Sequence, residues 1–171
     1  MHPIVRLAKE AIFAWVKERR ELSVSEAYID ENMKQKAGVF VSIKTHGRLR
    51  GCIGTYIAQT ENIATEIVQN AISSATRDPR FPPVVEDELA SLSYSVDILS
   101  PPERVNNIKD LDPIRYGVLV RSGAKRGLLL PDLEGIDTPD EQIRIAKLKA
   151  GIPQDVDVEL YRFTIKRYQS G

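Results

Sequence analysis

Val39-Phe40-Val41-Ser42-Ile43-Lys44-Thr45-His46-Gly47-Arg48-Leu49-Arg50-Gly51-Cys52-Ile53-Gly54-Thr55 is the stretch on which the fold turns. Val39, Val41 and Ile43 alternate with Phe40, Ser42 and Lys44, the period of two that a half-buried strand requires. Thr45 to Arg48 reads as a tight turn, because Gly47 adopts positive φ without a Cβ penalty. Leu49 to Ile53 returns as the partner strand. Gly51 and Gly54 bracket Cys52, and glycine inside a strand marks a bulge or a close approach to the backbone. A hairpin carrying the chain's one thiol between glycines, with Arg48 and Arg50 beside it, is the most site-like feature of the sequence.

Working outward, Pro3 to about Arg20 reads as a helix with Ile4, Ala8, Ala11, Ile12, Trp15 and Val16 on one face. Trp15 there is expected to be core. Ser23 to Lys36 reads as a polar, mixed connecting loop or short helix anchored by Tyr28 and Ile29. A second helix is expected after Thr60, a candidate N-cap, with Ile63, Ala64, Ile67, Val68, Ala71, Ile72 and Ala75 as a stripe broad enough to lie on a sheet. The prolines of Arg77-Asp78-Pro79-Arg80-Phe81-Pro82-Pro83 end it in a stiff loop. Leu92, Tyr94, Val96 and Ile98 alternate with polar residues as another strand. Val105 to Pro113 is a charged connector, and 117–121 and 127–130 form a second hairpin. A third helix opens at Pro139, with Ile143, Ala146, Leu148 and Ala150 as its apolar face, and stops at Gly151. Val156 to Tyr168 reads as one closing strand. Helices at both ends and in the middle, with hairpins between, give an α+β fold rather than a βαβ series.

With 171 residues the chain fits one domain, 1–171. Its 42% apolar and 28% charged residues are those of a globular protein. Twenty-four basic residues balance twenty-four acidic ones, so the long-range basic field of a nucleic-acid or anionic-membrane binder is missing. One cysteine forms no internal disulfide, no apolar run approaches ~20 residues, and residues 1–10 hold no signal-peptide core. A cytoplasmic location is expected. No His/Cys spacing points to a metal site.

Leu49-Arg50-Gly51-Cys52-Ile53-Gly54-Thr55 resembles the signature of the AMMECR domain family. The resemblance continues through Asp78-Pro79-Arg80-Phe81-Pro82-Pro83, Leu99-Ser100-Pro101-Pro102, Gly127-Leu128-Leu129-Leu130-Pro131, Lys149-Ala150-Gly151-Ile152-Pro153 and Tyr161-Arg162-Phe163. Five further ordered motifs across nearly the whole chain make it specific. It implies a mainly antiparallel sheet with packed helices, β-hairpins and a smaller lobe forming a cleft. It further implies a link to a Memo-like protein and a radical S-adenosylmethionine protein.

Two functional readings follow. In one, the chain is an accessory or assembly component whose rigid surface recognises a partner. In the other, it is a cysteine-dependent enzyme with an arginine-lined cleft for a small anionic substrate, built from Arg50, Gly51, Cys52, Gly54, Thr55, Asp78, Arg80 and Phe81. Cys52 is then the nucleophile or redox thiol, its thiolate favoured by Arg48 and Arg50, which share its face in a regular strand. The plainer reading makes Cys52 a small buried hydrophobe. Arg50, Arg80 and Arg126 suit a carboxylate or phosphate; the plainer reading pairs Arg80 with Asp78 and Arg50 with another carboxylate. His46, six residues from Cys52, is a candidate base. The glycine spacing is no nucleotide fingerprint, since no helix N-terminus follows it. Neither Ser73-Ser74 nor Ser122 has a paired base.

Overall fold

A computed structural model describes residues 1–25 and 29–170; Tyr28 lies outside the described residues. The chain divides into two compact units, 1–99 with 166–171, and 100–165.

The first unit opens with helix α1, Pro3–Glu18. Pro3 sits in its first turn, where the missing N–H is no loss. His2 caps it through Nδ1, which accepts the Ile4 N–H at 3.2 Å, and its ring lies 4.4 Å from that of Tyr168. Ile4, Ala8, Ala11, Ile12 and Val16 are buried as their spacing predicts, while Trp15 is half-buried against the same core. Arg19, at φ 52, ends the helix in a left-handed cap.

The expected hairpin is present: β1, Val39–Thr45, turns through His46 and Gly47 into β2, Arg48–Gly54. Both turn residues have positive φ, 50 and 77, the type I′ geometry that matches the twist of the flanking strands. Helix α2, Ile63–Thr76, buries all seven residues of its predicted stripe. Its cap is Asn62, whose side chain accepts the Thr65 N–H at 2.8 Å, rather than Thr60. The next strand, β3, is Leu92–Leu99. With β8, Ile165–Gln169, the first sheet has the order β2-β1-β3-β8, antiparallel at β2/β1 and β1/β3. One face carries Val39, Val41, Ile43, Tyr94 and Val96 into a core roofed by α1 and α2. Each such aliphatic side chain contributes about 1.5–3 kcal/mol by leaving water. The other face carries Phe40, Ser42, Lys44, Ser93 and Ser95.

The second unit is a sheet of order β4-β7-β5-β6: Glu103–Val105, Glu159–Phe163, Gly117–Ser122 and Lys125–Leu129, each neighbour antiparallel. Gly123, at φ 59, makes the β5–β6 turn. Helix α3, Pro139–Ala150, packs on β5 and β6 and stops at Gly151, φ 68, as expected. Its buried face differs from the expectation. Ala146 is buried as expected, but Leu148 is 59% exposed, and Gln142 and Lys147 are buried in its stead. Lys147 reaches the carbonyls of Gln154 and Val156 at 3.0 and 2.8 Å, and Gln142 donates to the Tyr116 carbonyl at 2.9 Å. Hydrogen bonds from Lys147 Nζ and Gln142 Nε2 to these carbonyls let two polar residues take core positions, although Gln142 Oε1 is buried without a partner. The closing run is likewise two strands, β7 and β8, in different sheets with Thr164 between them.

Candidate functional site

The motif residues of the first unit converge on the outer edge of β2. Cys52 lies opposite Ser42 on β1. Its backbone N–H points away from β1 and donates to Asp78 Oδ2 at 3.0 Å, so the two residues form a non-hydrogen-bonded pair with close side chains. Ser42 Oγ stands 3.1 Å from Cys52 Sγ, and the thiol is half-buried.

Asp78 follows the end of α2 and is 4% exposed. Its Oδ1 accepts the Arg80 N–H at 3.1 Å and Nε at 3.0 Å; its Oδ2 accepts Arg80 Nη2 at 2.8 Å besides the Cys52 amide. The hydrogen bond from the Arg80 side chain, assisted by the two backbone N–H groups, holds its carboxyl well below the usual carboxylate range against the opposing effect of burial. Arg80 itself is more than half exposed, stacks 5.6 Å from the Phe81 ring centre, and feels the nearby Cys52 sulfur electrostatically.

Arg50 is engaged a few residues along. Its Nε and Nη2 grip Glu88 at 2.7 and 3.1 Å, and Nη2 also reaches the Pro82 carbonyl at 2.9 Å. Its guanidinium lies 5.9 Å from the Phe81 ring centre. Glu88, on a short 3-10 turn at Glu86–Ser91, is lowered in pKa chiefly by Arg50. Glu88 closes the sequence-distant half of the site. The signal for it in sequence was only the first-turn acidic run Glu86-Asp87-Glu88.

The strand is not regular here. Ile43 pairs with Gly51 and Lys44 with Leu49, so Arg50 is an extra, bulged residue. The bulge shifts the alternation and breaks the expected sharing of one face by Arg48, Arg50 and Cys52. The cation tied to the thiol's neighbourhood is Arg80, from a different element. His46 sits at the hairpin turn, four residues before which Ser42 faces Cys52; at ~3.3 Å per residue that is about 13 Å of strand. It therefore does not serve Cys52 as a base.

The two glycines are filled by the protein itself. A Cβ on Gly51 would collide with the Ser74 carbonyl oxygen of α2, and one on Gly54 with the Phe40 ring. Close approach of α2 accounts for Gly51, and cover by the cross-strand Phe40 ring of β1 for Gly54, rather than approach of a ligand. Thr55 looks inward: Oγ1 donates to Glu66 Oε2 at 2.6 Å and receives Asn70 Nδ2 at 3.2 Å. Glu66, 2% exposed, also accepts the Gln59 and Thr60 N–H groups, each at 2.9 Å, and the Thr60 hydroxyl at 2.8 Å. Arg126 belongs to β6 of the second unit. Among the described residues no three of His, Cys, Asp and Glu group as metal ligands, and no helix is long and apolar enough to cross a membrane.

What converges is thus a thiol, two guanidinium–carboxylate pairs and a ring, fastened to a sheet edge in an α+β fold. The chain belongs to the AMMECR1 family, whose model matches residues 5–170. It is 55% identical over 170 residues to a protein of Thermotoga maritima, covering 98% of both chains. It is 44% identical over 168 residues to a protein of Clostridium acetobutylicum, covering 98% of this chain but 36% of that one. Among solved structures, the crystal structure of an uncharacterized protein from Pyrococcus horikoshii matches 98% of this chain and 89% of its own, with a TM-score of 0.90 at 32% identity.

Proposed function

We propose that this chain is an accessory or assembly component of the cytoplasm, whose β2 edge and proline loop form a preorganised surface for partner proteins. The observation that carries this reading is the anchoring of residues 78–88. Asp78 ties the loop to the Cys52 amide, and Arg50 ties it to Pro82 and Glu88. A loop already held in one conformation loses little entropy on binding. It offers Arg80 and Phe81, residue types that dominate interface energetics. The Clostridium relative, of which this chain matches only 36%, carries the same domain within a longer polypeptide, which suits a component that works joined to others. Partners of the Memo-like and radical S-adenosylmethionine classes are the ones the family resemblance nominates.

Isothermal titration of the full chain with a Memo-like protein and with a radical S-adenosylmethionine protein from one genome tests this. Binding to either, weakened tenfold or more by Phe81→Ala or Arg80→Ala and unchanged by Cys52→Ser, is the expected result. No binding to both sinks the reading. The cysteine-dependent enzyme is favoured by one specific feature, the half-buried Cys52 thiol beside the Arg80 guanidinium; loss of activity of the assembled proteins on Cys52→Ser, with folding intact, would put it first.

A further inference from the structure

The polar face of the first sheet contains a depression that the β2-edge surface does not use. It has a volume of about 170 Å³ and is lined by Ser42, Lys44, Ser93, Tyr94, Ser95, Gln169 and Ser170. One water needs roughly 10–15 Å³, so the space takes a group much larger than a solvent molecule. The register sets its floor: Ser42 lies opposite Ser95, and Lys44 opposite Ser93. These four side chains occupy one face because Val41, Ile43, Tyr94 and Val96 between them are buried on the other. A quadrilateral of three hydroxyls and one ammonium results, with cross-strand side chains about 4.5–5.5 Å apart at Cβ.

Ser42 Oγ is paired with Cys52 Sγ and Ser170 Oγ with the Tyr94 backbone, but the other polar side chains of the floor are open. Among the described residues, the Ser93 and Ser95 hydroxyls have no hydrogen-bond partner, and Lys44 has no carboxylate partner. No acidic residue lines the depression. Farther along the same face, Asp97 is neutralised by a bidentate pair with Arg167, at 2.8 and 2.9 Å. Ser170 holds the rim in place, its Oγ accepting the Tyr94 N–H at 2.8 Å. Hydroxyl donors converging with one ammonium and no competing carboxylate are what a compact oxyanion requires. Arg50 and Arg80 are already engaged by Glu88 and Asp78.

We infer that the Ser42–Lys44–Ser93–Ser95 face is a binding site for a phosphate-sized oxyanion, either the free ion or the head of a phosphomonoester. Lys44 supplies the charge, Ser93 and Ser95 the hydroxyl donors. Ser42 belongs both to this site and to the Cys52 pair at 3.1 Å, so an occupant lies one side chain from the thiol. The site stands apart from the partner reading, and its test contains no partner protein.

The test is amide and lysine-ammonium NMR of the full chain, titrated with inorganic phosphate and, separately, with phenyl phosphate, at constant ionic strength against chloride. The expected result is saturable shifts at residues 93–95 and at Lys44, with Lys44→Met weakening binding at least tenfold and Ser95→Ala severalfold. Tighter binding of inorganic phosphate identifies the free ion as the ligand; equal or tighter binding of the ester identifies a phosphomonoester head. Absence of saturable shifts with both probes, or phosphate affinity unchanged in folded Lys44→Met, overturns the assignment. Shifts confined to residues 77–81 would overturn it as well, by moving the anion to Arg80.

Discussion

Asp78 Oδ2 accepts the backbone N–H of Cys52 at 3.0 Å, so a side chain stands where a neighbouring strand would otherwise pair. β2 is an edge strand, and an unpaired edge invites intermolecular pairing. Here the carboxylate that covers the edge also orders Arg80 and the proline loop.

Asp78→Asn should lower stability by about 2 kcal/mol at pH 7, the range for hydrogen bonds to a charged group left incompletely satisfied. Its folded pKa lies below the ordinary ~3.9, so the carboxylate's contribution is fully present above that value and is lost as pH falls below it. Denaturant melts of wild type and variant should therefore differ equally at pH 7 and pH 5, and the gap should begin to shrink below about pH 4 and narrow progressively as pH falls further. A gap as large at pH 3 as at pH 7 would contradict the assignment.

Arg50→Lys should destabilise the chain by about 1 kcal/mol, because an ammonium cannot reproduce the fork that grips both Glu88 oxygens and the Pro82 carbonyl. A double-mutant cycle of Arg50→Ala with Glu88→Ala should give a coupling of about 1 kcal/mol, since the pair is mostly shielded. Strict additivity would mean the pair is decorative.

Gly51→Ala should cost about 3 kcal/mol, because the obstacle is the Ser74 backbone carbonyl and a helix cannot give way as a side chain can. Gly47→Ala meets nothing within 4 Å and should cost only the ~1–2 kcal/mol of a left-handed backbone. Thermal melts that rank the two in the opposite order would show that β2 and α2 are not in this register.

Glu66→Gln should cost about 2 kcal/mol, since an amide nitrogen would face one of the donors that now converge on the carboxylate. Hydrogen exchange should rise selectively at the Gln59 and Thr60 amides. Unchanged protection there would mean that Glu66 does not hold the 55–62 segment.

What the sequence disclosed followed from periodicity and from special residues. The 39–54 hairpin was legible because alternation and Gly47 agreed, and α2 because its stripe had no competing pattern. The α3 face was not, because Lys147 and Gln142 are buried through hydrogen bonds to carbonyls that only the fold supplies. The split of β7 from β8 was hidden because alternation continues across Thr164 while the partner strands change. At the site, Asp78–Arg80 was readable from two-residue spacing. Glu88 was not, since a bulge at Arg50 and thirty-eight residues of separation brought it there.

The first sheet is closed by β8, whereas residues 100–165 form the second unit between β3 and that last strand. During synthesis, at ~5–20 residues per second, the ribosome therefore spends several seconds making the second unit before β8 exists. Over that interval Asp97 lacks Arg167, the Tyr94 backbone lacks Ser170, and β3 is an open edge. The nascent first unit thus carries an exposed β3 edge until β8 emerges, and its sheet completes only then.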